Sequence, residues 1–472
     1  MRRASFFVLM LAVIALPVTA HADLPAPVAE ALRTAGIPQD AVSVYVRRVD
    51  QPQPLIAHRA AQPMNPASVM KLVTTYAALD LLGPAYSWRT ELYAAGSIED
   101  EVLDGDLIIK GYGDPALDLE RFWSMLRNLR QKGIRDIRGD LVLDRSYFAT
   151  SGHDPAAFDG EPYRAYNAGP EALLINNKVT RFQFRGDPAR GRVDVLADPD
   201  FASMRIDNRL RLHDGPCGNW KERLAYKVTP DAGLTTVSFS GQYAQACGDK
   251  ILDLSVMDDA SYTLHLFRRL WQEQGGTLRG ALRTGVVPPE AVKLMDVYSP
   301  PLAEVVRMIN KYSNNVMARQ LLLTLASEQT GLPGSEAAGQ RVIVGWLERS
   351  GMRFPELVIE NGSGLSRAER ISAEHIGQLL LHAWTSPVMP ELISSLPLLG
   401  QDGTTNTRMK QSAVAGRAHL KTGSINGSRA LAGYLLDADG QRWVVVFMAS
   451  HPNAGATRAA QDALLDYLYP GQ

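Results

Sequence analysis

The chain is 472 residues long, 46% apolar and 21% charged, with 49 basic and 50 acidic residues and a net charge of −1. That length can bury a large core in two or three domains, and the balance is that of an ordinary globular protein. Without a long basic run, nothing recommends a nucleic-acid partner.

Arg2 and Arg3 precede an apolar run over 6–16, Pro17 ends it, and Ala20-His21-Ala22 is a small-x-small site. This is the pattern of a secretory signal peptide over 1–22, cleaved after about Ala22. The run is too short to span a bilayer, and no later stretch is apolar enough, so no transmembrane segment is expected. Loss of the two arginines takes the net charge from −1 to −3.

A short helix is expected over 26–35, then strands over 42–49 and 54–58 joined by the polar turn Asp50-Gln51-Pro52-Gln53. Pro66 leads into a mostly apolar helix over 69–82 that stops at Gly83-Pro84. From about 88 to 257 the character changes. Short β-like runs at 90–93, 106–109, 139–143, 179–184, 193–196, 209–212, 235–240 and 252–256, with one helix over 118–131, read as sheet-rich inserted modules. Gly111-Tyr112-Gly113-Asp114-Pro115 is a turn lacking the rest of a phosphate-cradling pattern. Helices return over 261–274, 301–309, 316–327, 336–350 and 373–384; strands follow over 419–423, 430–436 and 443–449, then a helix over 456–468. The outer pieces make an α+β domain, an antiparallel five-stranded sheet flanked by helices, interrupted by β-rich inserted domains.

Cys217 and Cys247 are the two cysteines, both in glycine-containing turns. In an exported protein such a pair most simply forms a disulfide, contributing about 3 kcal/mol by restricting the unfolded chain. No histidine or further cysteine lies at ligand spacing nearby, and His375 and His382 do not match H-E-x-x-H, so no metal is expected.

The stretch Asn65-Pro66-Ala67-Ser68-Val69-Met70-Lys71 places a hydroxyl and an amine one helical turn apart. A serine hydroxyl is a weak nucleophile without a base, and a lysine serves as one only when burial or neighbouring cations depress its pKa. Ser313-x-Asn315 lies between two helices, where an amide can hydrogen-bond both a lysine and a substrate carbonyl. Lys421-Thr422-Gly423-Ser424 lies in a strand, where a cation and a hydroxyl beside a glycine-opened edge can bind a carboxylate. Each motif alone is common, and a surface lysine, a helix cap and a polar strand end are the bland alternatives. The three in this order match the S-x-x-K, S-D-N and K-T-G set of β-lactamases and penicillin-binding proteins, with Ser-Asn-Asn here keeping the first and third positions of the middle motif.

With this set, the chain resembles the low-molecular-mass class C penicillin-binding proteins, the DacB-type D-alanyl-D-alanine carboxypeptidases/endopeptidases. The resemblance extends to the long insert between the first two motifs, the Gly-Tyr-Gly-Asp-Pro turn, Asn361-Gly362-Ser363-Gly364-Leu365-Ser366-Arg367, and Gln401-Asp402-Gly403-Thr404. It implies a penicillin-binding catalytic domain over 23–88 and 275–472, an inserted domain over 89–159 and 251–274, and a nested one over 160–250. It implies a periplasmic enzyme without cofactor that acts on peptidoglycan and is acylated by β-lactams. A homodimer is among the assemblies it allows. Ser68 would attack the penultimate D-alanine carbonyl, Lys71 would take its proton, Ser313 would relay a proton to the leaving amine, and Asn315 would hold the substrate amide and orient Lys71. Lys421 and Thr422 would bind the terminal carboxylate, and the N–H groups of Ser68 and Ser424 would form the oxyanion hole. Asp159, in Phe158-Asp159-Gly160-Glu161, is a candidate acceptor for the free amine of a diaminopimelate side chain, with a solvated loop aspartate as the alternative. A β-lactamase or esterase of the same fold, and a non-catalytic cell-wall scaffold, stand as rival readings.

Overall fold

The computed structural model describes residues 23–149, 152–231 and 233–470. The expected signal peptide lies outside the described residues. A five-stranded antiparallel sheet runs in the order Ala418–Ile425, Ser428–Leu436, Arg442–Ser450, Val42–Arg48, Ile56–His58. Alternate side chains of a strand point to opposite faces. Val444, Val446 and Met448 accordingly join the core formed with helices Lys71–Leu82 and Ala373–Trp384, while Trp443, Val445 and Phe447 join the one formed with Ala26–Thr34 and Arg458–Leu468. Both faces are covered, which is why Arg442–Ser450 reads as a continuous apolar run rather than an alternating one. Lys71–Leu82 is buried from Lys71 through Leu79, on every side.

The insert opens at Arg89. A seven-stranded sheet takes Arg89–Glu99, Val102–Gly111, Asp136–Ile137 and Leu141–Asp144, then Thr277–Leu278, Leu282–Thr284 and Val292–Tyr298. Within it, Lys250–Leu254, Thr180–Asp187 and Arg192–Asp198 form one three-stranded sheet, and Met204–His213, Leu234–Ala244 and Leu224–Asp231 another. These memberships run past the 250 and 274 boundaries expected from sequence. Val292–Tyr298 is half-exposed and pairs with Arg89–Glu99, a partner some two hundred residues earlier in the chain, so local pattern did not reveal it. Leu224–Asp231 pairs with Leu234–Ala244 directly after it, but it is mostly exposed and shows no continuous apolar run to read. Cys217 and Cys247 are disulfide-bonded, with Cα atoms 4.6 Å apart, and tie the second small sheet to the start of Lys250–Leu254.

The insert docks on helix Asn315–Thr330, whose N-terminus carries part of the site. Gln320 Nε2 donates to Glu171 O at 2.8 Å and Gly113 O at 3.2 Å, and Arg319 Nη1 donates to Ala168 O at 3.0 Å. The Gly-Tyr-Gly-Asp-Pro turn is therefore part of this joint. Among the described residues, no helix is long and apolar enough to cross a membrane, and no cluster of His, Cys, Asp and Glu could hold a metal ion.

Candidate active site

Ser68 sits in a 3-10 turn, Ala67–Met70, that leads directly into helix Lys71–Leu82. Ala67 has φ of +46°, a left-handed conformation rare for a residue with a Cβ and common where function demands it. Asn65 holds the turn from below: its Oδ1 accepts from Ala67 N at 2.8 Å and its Nδ2 donates to Ser366 O at 2.8 Å. Val69 and Met70 are buried while Ser68 is partly open, so the turn aims the hydroxyl outward from an apolar base.

Lys71 is fully buried, and its Nζ has three partners: Ser68 Oγ at 3.0 Å, Asn315 Oδ1 at 2.6 Å, and the Ser363 carbonyl. Burial, followed by the Lys421 charge, holds its pKa well below the ordinary lysine value. A neutral lysine has two N–H groups and one lone pair. Asn315 Oδ1 and Ser363 O can only accept, so they take the two N–H groups and the lone pair faces Ser68, whose O–H then donates to it. The arrangement can draw a proton from Ser68.

Helix Leu302–Tyr312 ends at Ser313, in the left-handed conformation at φ +57°. Asn314 then caps the next helix, its Oδ1 accepting from Met317 N at 3.1 Å, and Asn315 is the first residue of that helix. The middle position of Ser-Asn-Asn thus turns the chain between the two that face the cleft. Lys421 Nζ donates to Ser313 Oγ and to Thr422 O, both at 2.8 Å. Burial pushes Lys421 down to about 7. Thr422 Oγ1 lies 2.8 Å from Thr404 Oγ1. Lys421, Thr422, Gly423 and Ser424 all belong to Ala418–Ile425, an edge strand of the sheet. At Gly423 a Cβ would meet Pro66 O at 2.5 Å and Ser68 N at 3.1 Å, so glycine is what lets this strand close on the Ser68 turn.

Asp159 is exposed in a turn of the insert, where its carboxylate accepts from Tyr166 Oη and Asn167 Nδ2, each at 2.8 Å. The preceding Phe158 ring lies 4.6 Å under the Arg367 guanidinium, which brings this turn against the 361–367 loop.

A family model described as the D-Ala-D-Ala carboxypeptidase 3 (S13) family matches residues 24–468. The chain belongs to this family. It is therefore a serine-type DD-peptidase. A D-alanyl-D-alanine carboxypeptidase of Actinomadura sp. (strain R39) is 30% identical over 429 residues, 87% of this chain and 78% of that one. The crystal structure of penicillin-binding protein 4 (dacB) from Haemophilus influenzae superposes with a TM-score of 0.77 at 24% identity, covering 93% of this chain and 99% of that one. The same protein complexed with a β-lactam gives 0.74 at 23% identity, covering 94% and 100%.

Three parts of this S13 site had no role in the motif reading. The first is the Ser363 carbonyl; the loop bearing it is shaped by Asn361 Oδ1, which accepts from Ser363 N at 3.0 Å and Ser363 Oγ at 2.6 Å. Gly364, at φ +81°, packs its Cα where a Cβ would strike the Ala67 carbonyl. A glycine- and serine-rich loop was the available signal. The second is Thr404, whose turn is anchored by Lys311 Nζ donating to Asp402 Oδ2 at 2.6 Å. The third is Glu369, fully buried behind the same loop.

Proposed function

We propose that the chain is an exported peptidoglycan DD-peptidase, a carboxypeptidase that removes terminal D-alanine and an endopeptidase that opens cross-links, through an acyl-serine on Ser68. Lys71 takes the Ser68 proton as Oγ bonds to the carbonyl carbon of the penultimate D-alanine. The leaving nitrogen collects a proton relayed by Ser313 as its bond to that carbon breaks. Asn315 fixes Lys71 and holds the substrate amide. Lys421, Thr422 and the opening at Gly423 bind the terminal carboxylate, and the Ser68 and Ser424 N–H groups receive the oxyanion, a contribution commonly worth several kcal/mol. Water then hydrolyses the ester. The observation that carries this reading is the position of Lys71 Nζ, with two acceptors taking its N–H groups and the Ser68 hydroxyl on its remaining side.

β-Lactams acylate the same serine, as supported by the β-lactam complex of the H. influenzae relative. Asp159 receives the free amine of the stem-peptide side chain, a role supported by the packing of its turn on the 361–367 loop. The pattern over 1–22 supports export to the periplasm, and assembly as a homodimer is part of the same proposal.

The test is the intact mass of mature protein after brief exposure to benzylpenicillin, with Ser68→Ala beside it. A persistent one-drug adduct on Ser68, absent from the variant, is expected, followed by release of D-alanine from muropeptides. Destroyed drug without adduct would mean a β-lactamase; intact drug without adduct would mean a scaffold.

A further inference from the structure

Glu369 belongs to none of the three motifs. It lies just before the short strand Ile371–Ser372 and is fully buried. A carboxylate withdrawn from water is costly unless its charge is answered. Its Oε1 accepts three successive backbone N–H groups, from Glu360 at 3.1 Å, Asn361 at 3.2 Å and Gly362 at 3.3 Å. Oε2 finds no hydrogen-bond partner among the described residues. The turn gathered on Oε1 then presents two carbonyls to helix Lys71–Leu82: Gly362 O accepts from Thr74 Oγ1 at 2.7 Å, and Ser363 O accepts from Lys71 Nζ. One carboxylate oxygen thus holds the turn that orients the amine.

Three charged groups act on Lys71 from the elements around it: Lys421 from strand Ala418–Ile425, Arg319 from helix Asn315–Thr330, and Glu369. Glu336 and Glu360 act on Arg319 in turn. Of the three, Glu369 alone favours a positive Lys71. Its own carboxyl is pushed up to about 7 by burial, against the pull of the three N–H groups and of Lys71.

We propose that Glu369 is a positioning residue for Lys71: it holds the 360–363 turn so that the Ser363 carbonyl takes one Lys71 N–H, and its buried charge stabilises the ammonium formed when Lys71 accepts the Ser68 proton. The inference rests on the assignment of Lys71 as base given above. The carboxylate neither gains nor loses a proton in the step. A purely structural role would hold the turn and leave the titration of Lys71 untouched, and the two roles separate in a pH profile.

The experiment is the second-order rate of acylation by benzylpenicillin, read by intact mass from about pH 5 to about pH 10, for the wild type, Glu369→Gln, Glu369→Asp and Lys71→Ala. Glu369→Gln keeps an oxygen for the three N–H groups and loses the charge. Above about pH 7, where Glu369 carries its charge, its acid limb is expected about one pH unit lower, because Lys71 then loses its proton more readily, and its plateau about tenfold lower, because Lys71 is then a weaker base. Glu369→Asp keeps the charge with less reach, so its plateau falls and its limb stays. A Gln profile that is a scaled copy of the wild type overturns the proposal, as does an Asp limb displaced as far as the Gln limb. If the Gln variant does not fold, the isosteric pair Glu369→Asp and Glu369→Asn decides: an Asn limb lower than the Asp limb supports the proposal, and coincident limbs overturn it. Wild-type acylation by Lys71→Ala would sink the assignment of Lys71 itself, independently of Glu369.

Discussion

Lys421 Nζ lies 2.8 Å from Ser313 Oγ, joining the third motif to the second across the cleft from Ser68. Burial lowers Lys421 to about 7, so near neutrality a sizeable share of the ligand-free protein has it uncharged. A carboxylate arriving beside it favours the charged form and raises that pKa. Binding of an acyl-D-alanyl-D-alanine peptide to Ser68→Ala at about pH 8 should therefore take up a proton. Calorimetry in two buffers of different ionisation enthalpy measures this. Heats that do not depend on the buffer would remove Lys421 from carboxylate binding.

Asn315 sits 2.6 Å from Lys71 Nζ, so its replacement by Asp sets a carboxylate directly beside the amine proposed as the base. A carboxylate there stabilises the ammonium and raises the Lys71 pKa, so the acid limb of acylation should move to higher pH. Asn315→Ala instead leaves a buried N–H without an acceptor, a penalty of about 1–3 kcal/mol, and should slow acylation roughly a hundredfold. Rate–pH profiles of the two variants check both signs.

Gly423→Ala places a methyl group 2.5 Å from Pro66 O and 3.1 Å from Ser68 N. The strand edge must then withdraw from the Ser68 turn, at a cost of about 1–3 kcal/mol. Acylation is expected to fall by about tenfold to a hundredfold, with a much smaller change in melting temperature. A variant that reacts like the wild type would show that this close approach is not needed.

The disulfide lies in the core of the insert, separate from the core under Ser68. Replacing Cys217 and Cys247 by alanine should destabilise the insert by about 3 kcal/mol. The yield of the Ser68 adduct at room temperature should not change. Denaturation followed by two probes, one in the insert and one at the active site, separates the two effects.

The exposed hydroxyl of Thr404 faces Thr422 Oγ1 at 2.8 Å, on a turn held by the Lys311–Asp402 pair. Thr404→Val should raise KM for peptides ending in a free carboxylate by about fivefold, the worth of one ordinary hydrogen bond. kcat for amidated peptides should stay as it was. Steady-state kinetics on both peptide classes decides the point.

The sequence alone determined which residues are candidates for the chemistry and the elements that carry them. A hydroxyl and an amine three residues apart on an apolar helix, a paired Ser and Asn between two helices, and a Lys-Thr-Gly in a strand are local patterns set by helical and strand periodicity. The strands Val42–Arg48 and Arg442–Ser450 were legible from their own residues, the first rich in valine and the second a continuous apolar run buried on both faces. Tertiary structure alone decided which distant segments meet. Val297 opposes Thr90, the Ser363 carbonyl reaches Lys71, and Glu369 gathers the N–H groups of Glu360, Asn361 and Gly362. An exposed edge strand carries a mixed pattern and is recognised by its partner. A backbone carbonyl has no sequence signature at all. The low pKa of Lys71 likewise comes from a complete burial and a second lysine brought from 350 positions away in the chain, from Lys421, which no local window contains.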